Sequence, residues 1–535
     1  MACTTGVVTH SSPLEATAFT AGRALSVGQY AVVEEGDRKY LALVTSVEHG
    51  NSLLEAVRAP REASFYLKSL ESLGGVAEGA TGNYYSVRLK LLGVLGSSFV
   101  PEVGQPPLVG SCVRPATDDE VREALRVDAG VRLGVVKAQQ GVEAMMPAEA
   151  VFKHVAVLAM TGYGKSNATC VLVRELVKNY GATVLLLDAH GEYVGLEDDP
   201  ELDGLVMVHR GAFNPFTMSE ADFVNLAGLP PNASNEARAL RLSFRLLRYL
   251  KGYSSSLDDD LRKCLDNAHG REVASCASKE FSEALRCVVN RCGDEFLRGA
   301  NSAKQSLASL LNRLDDALHD LGRLLSDSAP VDLTSLVVPG KLNVYDLSEY
   351  DVNEADVVAS YLLRRLLEER KRYERSLYEG DEPRGYPTPV VVVLEEAHVL
   401  VPANGNTETR YWAARVAREG RKFGVGLVLV SQRPRGLDVD VLSQTSTKLL
   451  LRMVEPEDLS QVRSSSEALG DLAELLPGLR PGEGLLLADG LPVPALVKLD
   501  LCQSLRRFSS GRFLKEWKDY ASGGGDIGGL LGELT

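Results

Sequence analysis

Gly162, Gly164, Lys165 and Ser166, within "AMTGYGKSNAT", have the types and spacing that hold a phosphate. Glycines let successive backbone N–H groups converge, and a helix that starts there adds the positive end of its dipole. A lysine at this place bridges the β- and γ-phosphates, and a serine hydroxyl ligates Mg²⁺. Tyr163 and Asn167 complete the candidate nucleotide-contacting set. The template for such a loop is G-x-x-x-x-G-K-[ST], and its first position here is Ala159. A methyl group is tolerated there if the backbone φ is negative.

Three further stretches supply what phosphate chemistry needs. "VVVVLEEAH" delivers Glu395 and Glu396 to the end of an apolar run. Ligands bind at the carboxyl ends of parallel strands, so Glu395 is assigned to the Mg²⁺ shell and Glu396 to orienting and deprotonating the attacking water. "VGLVLVSQ" ends in Ser431-Gln432, and Gln432 is placed to touch the γ-phosphate or its water. "ARVAREGRKFG" carries Arg415, Arg418, Arg421 and Lys422. Spacings of three put the arginines along one helix face. Such a face is usually solvated; the sharper reading is an arginine finger reaching a neighbouring subunit's nucleotide. Arg433 and Arg435, in the Pro/Gly loop after Gln432, are candidate DNA contacts, as is the polar loop "VPANGNTETR" for lining a pore.

Those side chains need elements to position them. "HVAVLAM", the glycine loop, "NATCVLVRELVKNYG" and "ATVLLLDAHGEY" read as strand, loop, helix and strand, a βαβ unit in a parallel sheet. "KLNVYDLS", a long helix near 354–378, the Glu-Glu strand, a helix near 408–422, the Gln432 strand and "STKLLLRM" continue the pattern, and "GEGLLLADG" and "PVPALVKLD" close it. The fold class expected is α/β: a P-loop core with a mainly parallel sheet, an N-terminal small β-barrel and an inserted helical domain. The divisions are 1–115 (barrel), 116–217 (first part of the core), 218–330 (helical insertion), 331–500 (second part of the core) and 501–535 (tail).

The 535 residues are 45% hydrophobic and 24% charged, with a net charge of −14. An acidic total argues against DNA binding only if the charge is evenly spread, since nucleic-acid affinity comes from clustered Lys and Arg. No leader-like or membrane-spanning run is visible, and a cytoplasmic location is expected. None of the eight cysteines forms C-x-x-C, and they read as buried or free thiols of a reducing compartment.

The segments "HVAVLAMTGYGKSNA", "LLLDAHGEY", "VVVVLEEAHVLVP", "VAREGRKFGVGLVLVSQRP" and "VLSQTSTKLLLRM", in that order, resemble the HerA helicase family of the HerA/FtsK branch of DNA motors. The resemblance extends over roughly residues 25–500 and includes the barrel segment "SVGQYAVVEE". It implies a RecA-like core and an ATP- and Mg²⁺-dependent homohexameric ring that translocates on double-stranded DNA, working in archaea with the NurA nuclease in DNA-end resection for recombination repair. It implies Lys165 and Ser166 as nucleotide and metal residues, Glu396 as the catalytic carboxylate, Gln432 as sensor and Arg421 as the trans arginine, with Arg418 in reserve. A related single-stranded DNA motor, an ATP-switched scaffold and a protein-remodelling ATPase are the competing readings.

Overall fold

The computed structural model describes residues 5–505 apart from 21–24, 52–82, 211, 221–222, 225–228, 230–233, 267–269, 298–302 and 467, together with 515, 517 and 518. Most of the basic tail segment therefore lies outside the described residues.

Strands β1 (Gly6–Ser11), β2 (Glu15–Thr20), β3 (Tyr30–Glu35), β4 (Arg38–Asn51), β5 (Asn83–Leu95) and β6 (Cys112–Pro115) close into an antiparallel barrel in the order β1-β2-β5-β4-β3-β6. Closure removes the unpaired edges that a small sheet would otherwise expose. Val8, Ala18, Val33, Ala42, Val44 and Leu89 fill its interior. The alternate residues Tyr30, Val32, Leu41 and Leu43 are also fully buried, but against the main core. One wall of the barrel is thus covered on both faces, which is why β3 and the middle of β4 read as continuous apolar runs. The Tyr30 hydroxyl donates to the Pro494 carbonyl (2.6 Å) and fixes the junction.

Helix α1 (Asp118–Ala124), opened by a Thr117/Glu120 capping box, leads into an eleven-stranded sheet. Its strands are β7 (Gly130–Val136), β8 (Glu143–Pro147), β9 (Val155–Leu158), β10 (Thr183–Asp188), β11 (Val206–His209), β12 (Leu342–Asp346), β13 (Val390–Leu394), β14 (Val425–Ser431), β15 (Thr447–Leu450), β16 (Glu483–Leu487) and β17 (Ala495–Leu499). The order is β11-β12-β10-β13-β14-β9-β15-β16-β17-β7-β8. The seven from β11 to β15 are parallel; the remaining four pair antiparallel. Every residue of β9, β10, β13, β14 and β15 is buried, as parallel strands covered by helices on both faces must be. Helix α2 (Lys165–Tyr180) connects β9 to β10 and ends on a left-handed Gly181.

Between β11 and β12 come helices α3 (Ser234–Leu250), α4 (Asp259–Asp266), α5 (Gly270–Cys276), α6 (Phe281–Phe296) and α7 (Ala303–Leu321). Phe216, Phe223 and Phe244 stack at their centre, with Phe281 edge-on to them. The long helix α8 (Val352–Glu379) and α9 (Glu408–Glu419) flank β13.

The cysteines correct the expectation of thiols. Cys264 pairs with Cys292, Cys276 with Cys287 and Cys170 with Cys502, over Cα separations of 5.7, 5.6 and 6.2 Å. Among the described residues no cysteine is a free thiol. The pairs are assembled by helix packing and, for Cys170, by a sequence separation of 332 residues, so spacing along the chain carried no sign of them. They also remove the cysteines as an argument for a reducing compartment. Among the described residues no helix is long and apolar enough to cross a membrane.

Candidate active site

Strand β9 ends at Leu158, and the chain turns through residues 159–164 before α2 begins at Lys165. Gly162 (φ +82°) and Gly164 (φ +95°) lie in the left-handed region. A Cβ on Gly162 would meet nothing within 4 Å, so backbone conformation and not space demands the glycine. Ala159 is fully buried and not among the residues of positive φ. Its N–H donates to the Ser431 carbonyl (3.2 Å), stitching the loop's first residue to the end of β14. The alanine thus sits where any L-residue fits.

The free N–H groups of α2's first turn face this loop, the arrangement that binds anions at a helix start. Ser166 lies in that turn. Asn167 does not offer its side chain to a nucleotide. Its Nδ2 donates to the Asp500 carbonyl (2.7 Å) and its Oδ1 accepts the Cys502 N–H (2.9 Å). The Tyr163 ring lies under the Arg452 guanidinium, 5.1 Å from its centroid. Arg452, whose own backbone carbonyl accepts the Met160 N–H (2.9 Å), is a cation beside the loop that the sequence did not single out.

The five buried residues of β13 carry Glu395 and Glu396 to the sheet's carboxyl edge, where they are 1% and 5% exposed. Lys165 contacts Glu396 Oε1 and lies 3.5 Å from Glu395 Oε1. Glu396 has φ +48°, a conformation rare for a non-glycine residue; strain of this kind is retained where the surroundings enforce it, as they do at active sites. Burial pushes the Glu395 carboxyl up to about 8, against the pull of Lys165. Glu395 Oε2 has no hydrogen-bond partner. Two buried carboxyl groups here share one ammonium, and if a phosphate drew Lys165 away they could both ionise only beside another cation. The donor set therefore fits a hard divalent ion such as Mg²⁺.

Strand β14 lies between β9 and β13, so Gln432 emerges between the phosphate loop and the carboxylates. The Thr161 hydroxyl donates to Gln432 Oε1 and closes that gap. Two histidines complete the arrangement. His398 Nδ1 stands 3.2 Å from both Glu396 Oε2 and Ser431 Oγ. His190 Nε2 is 3.9 Å from Glu396 Oε1. Buried Asp188 holds the turn that carries His190, accepting the N–H groups of His190 (3.3 Å), Glu192 (3.2 Å) and Tyr193 (2.8 Å); burial pushes its own carboxyl up to about 6. A cavity of about 260 Å³ adjoins the carboxylates, lined in part by His190, Tyr350, His398 and Gln432. Both histidines stand in sequence next to strand-end carboxylates, the signal that could have found them.

The arginines are elsewhere. Helix α9 runs back from the carboxyl edge, and Arg418 and Arg421 lie at its far end and in the following turn, just before β14 starts at Val425. The seven residues of β14 separate them from Gln432 by roughly 20 Å at about 3.3 Å per residue. Both are exposed, and among the described residues neither has a carboxylate within ion-pair distance. Arg415 differs: it pairs with Glu419 (3.1 Å) and stacks on Trp412. At the other edge Arg433 is exposed, while Arg435 is engaged by Glu457. The two loops considered for a pore are joined, Ala403 N–H to Gly436 O (2.8 Å) and Asp438 N–H to Val401 O (3.0 Å).

Residues 131–366 match the family model described as "Helicase HerA, central domain". The chain is 32% identical, over 99% of its length, to the DNA double-strand break repair helicase HerA of Saccharolobus solfataricus, 99% of which it covers. The chain belongs to the HerA helicase family. The HerA repair helicase of Pyrococcus furiosus is 30% identical, with 94% of this chain and 91% of the relative aligned. Among solved structures, the plasmid coupling protein TrwB in complex with ADP and Mg²⁺ superposes with a TM-score of 0.46 at 15% identity, over 74% of this chain and 94% of that one. As a HerA-family member with a phosphate loop on a parallel sheet, the chain is a P-loop ATPase of the helicase class.

Proposed function

We propose that this protein is a DNA translocase of double-strand break repair that hydrolyses ATP with Mg²⁺ in a homohexameric ring around double-stranded DNA. Lys165 would leave Glu396 for the β- and γ-phosphates, and Ser166 and Glu395 would hold Mg²⁺, which when bound would supply positive charge against the phosphoryl oxygens. Glu396, freed of its lysine and steadied by His398, accepts a proton from the attacking water. Gln432 senses the γ-phosphate from the end of β14. Arg421, or Arg418, completes the site from the neighbouring subunit. Arg433 is the better of the two loop arginines for the DNA backbone, because Glu457 already holds Arg435. The nuclease partner is of the NurA type, the task DNA-end resection and the location cytoplasmic.

One observation carries the ring: Arg418 and Arg421 stand exposed at the edge opposite the phosphate loop, and among the described residues neither has a carboxylate within ion-pair distance, while Arg452 at the loop itself lies over the Tyr163 ring. Light scattering with and without DNA and a slowly hydrolysed ATP analogue tests it; a monomer under all conditions would remove the trans arginine. DNA affinity is expected to fall steeply with salt. ATPase activity indifferent to DNA, with no salt-sensitive binding, would refute the translocase. An ATP-switched scaffold would keep its partner assembly in Glu396→Gln, whereas a motor stalls.

A further inference from the structure

The turn from Ala417 to Gly424 holds Arg418, Arg421 and Lys422 out into solvent, and buried side chains fix it from both sides. Arg370 on α8, only 2% exposed, donates through Nε to the Phe423 carbonyl (2.8 Å) and through Nη1 to the Tyr386 carbonyl (3.0 Å), with Glu374 on its Nη2. His154, 3% exposed, reaches in from the start of β9. Its Nδ1 accepts the Leu427 N–H (3.0 Å), so its Nε2 carries the proton and donates to the Ala417 carbonyl (3.0 Å). Between these grips Glu419 is held by Lys371 (2.8 Å) and Arg415 (3.1 Å). Gly420 packs so tightly that a Cβ would lie 2.6 Å from the Val425 carbonyl.

His154 occupies its place at a cost. It has φ +62° and ψ 143°, a backbone that side-chain-bearing residues rarely adopt. Burial pushes its imidazole down to about 4. The neutral ring is the form in which one nitrogen accepts while the other donates. The next residue, Val155, begins β9, and four residues later the same strand ends at the phosphate loop. One short strand therefore has the nucleotide at one end and the arginine turn at the other.

We infer that His154 and Arg370 are positioning residues for the arginines presented to the next subunit, His154 tying that presentation to the strand that carries the subunit's own phosphate loop. This rests on the ring reading above. In uniform rings, His154→Asn keeps a polar side chain and meets the same backbone demand as histidine, but cannot span both partners. It is expected to lose turnover by up to roughly 10²-fold, the scale of a displaced catalytic group, with ATP affinity unchanged. Mixed with excess Lys165→Ala subunits, which are inactive but keep well-placed arginines, its turnover per intact site is expected to return. Arg370→Lys is expected to follow the same pattern. Damage within the subunit, to folding or to the phosphate loop, is not repaired by a neighbour. Loss that persists in mixed rings, or wild-type turnover in uniform ones, overturns the inference. If light scattering shows that His154→Asn does not assemble, Arg370→Lys decides alone. The double variant Arg418→Ala, Arg421→Ala is the control. Full turnover there defeats the ring reading itself, whereas rescue of that variant but not of His154→Asn or Arg370→Lys leaves the ring and removes this inference.

Discussion

The two edges of the parallel sheet are built on opposite terms. At the carboxyl edge the polar side chains approach one another within the subunit, Lys165 beside Glu395 and Glu396, Thr161 on Gln432, His398 beside Glu396 and Ser431, while Oε2 of each glutamate is left without a hydrogen-bond partner. At the amino edge Arg418 and Arg421 stand exposed on a turn that is itself tightly held. Flexible surface arginines are unremarkable, because exposed charges contribute little to stability. Exposed arginines on a clamped turn are different, since their backbone is held in one place, as the trans role proposed above requires. One edge gathers the phosphate loop and the carboxylates, and the other presents exposed arginines on a fixed turn.

The largest expected effect tests the first edge. Glu396→Gln should lower ATP turnover by roughly 10²–10⁴-fold, the usual worth of a positioned proton acceptor, while ATP still binds. Turnover that survives this change would move the base to another residue, His398 or His190 being nearest. Next comes the second edge. Arg421→Ala should cost about 10³-fold or more if it is the finger, and Arg418→Ala distinctly less; the reverse ranking would exchange their roles, and two small effects would dissolve the contrast between the edges. A gentler probe is acid. His154 has its folded-state value below its ordinary 6.5, near 4, so between those values the folded chain binds fewer protons than the unfolded one. Its stabilising contribution is whole above about pH 6.5 and is lost as pH falls through 4. Melting temperature should therefore drop more steeply over that window in the wild type than in His154→Asn, and parallel slopes would show that this ring is not the titrating group. The smallest effect belongs to Ala159→Gly, which should change ATP affinity by less than about twofold because the native φ already suits alanine. A large gain in affinity would show the loop's first corner to be compromised.

The carboxylates and Gln432 of the carboxyl edge were legible in the sequence, as were the arginines of the amino edge, but the groups that hold those arginines were not, for a physical reason. Apolar runs such as "VVVVL" and "VGLVLV" announce strands buried on both faces, and the polar residues just after them must lie where ligands bind. Glu395, Glu396 and Gln432 follow from that alone. His154 stands just before such a run, where a polar residue ordinarily faces solvent, and nothing in "KHVAVLAM" tells that a strand laid beside it from residue 425 leaves an N–H to be capped. Strands β7 and β8 escaped notice because Gly130 and Gly134 interrupt the alternation of β7 and β8 is only five residues long; Gly134 is required by close approach, a Cβ there lying 2.1 Å from the Lys498 carbonyl. The disulfides were invisible because their partners meet only after the helices pack.

The anchorage of residues 500–502 gives the molecule a mechanical property. The last strand, β17, lies antiparallel to β7, so the chain enters and leaves the core side by side. A tug between the barrel and the chain beyond Leu505 would peel that ladder open one rung at a time, with little resistance from the ladder itself. The resistance comes from α2, where Asn167 grasps Asp500 and Cys502 and Cys170 is bonded to Cys502. Tension on the C-terminal end is thus delivered to the helix that begins with Lys165, before it reaches any strand of the catalytic edge.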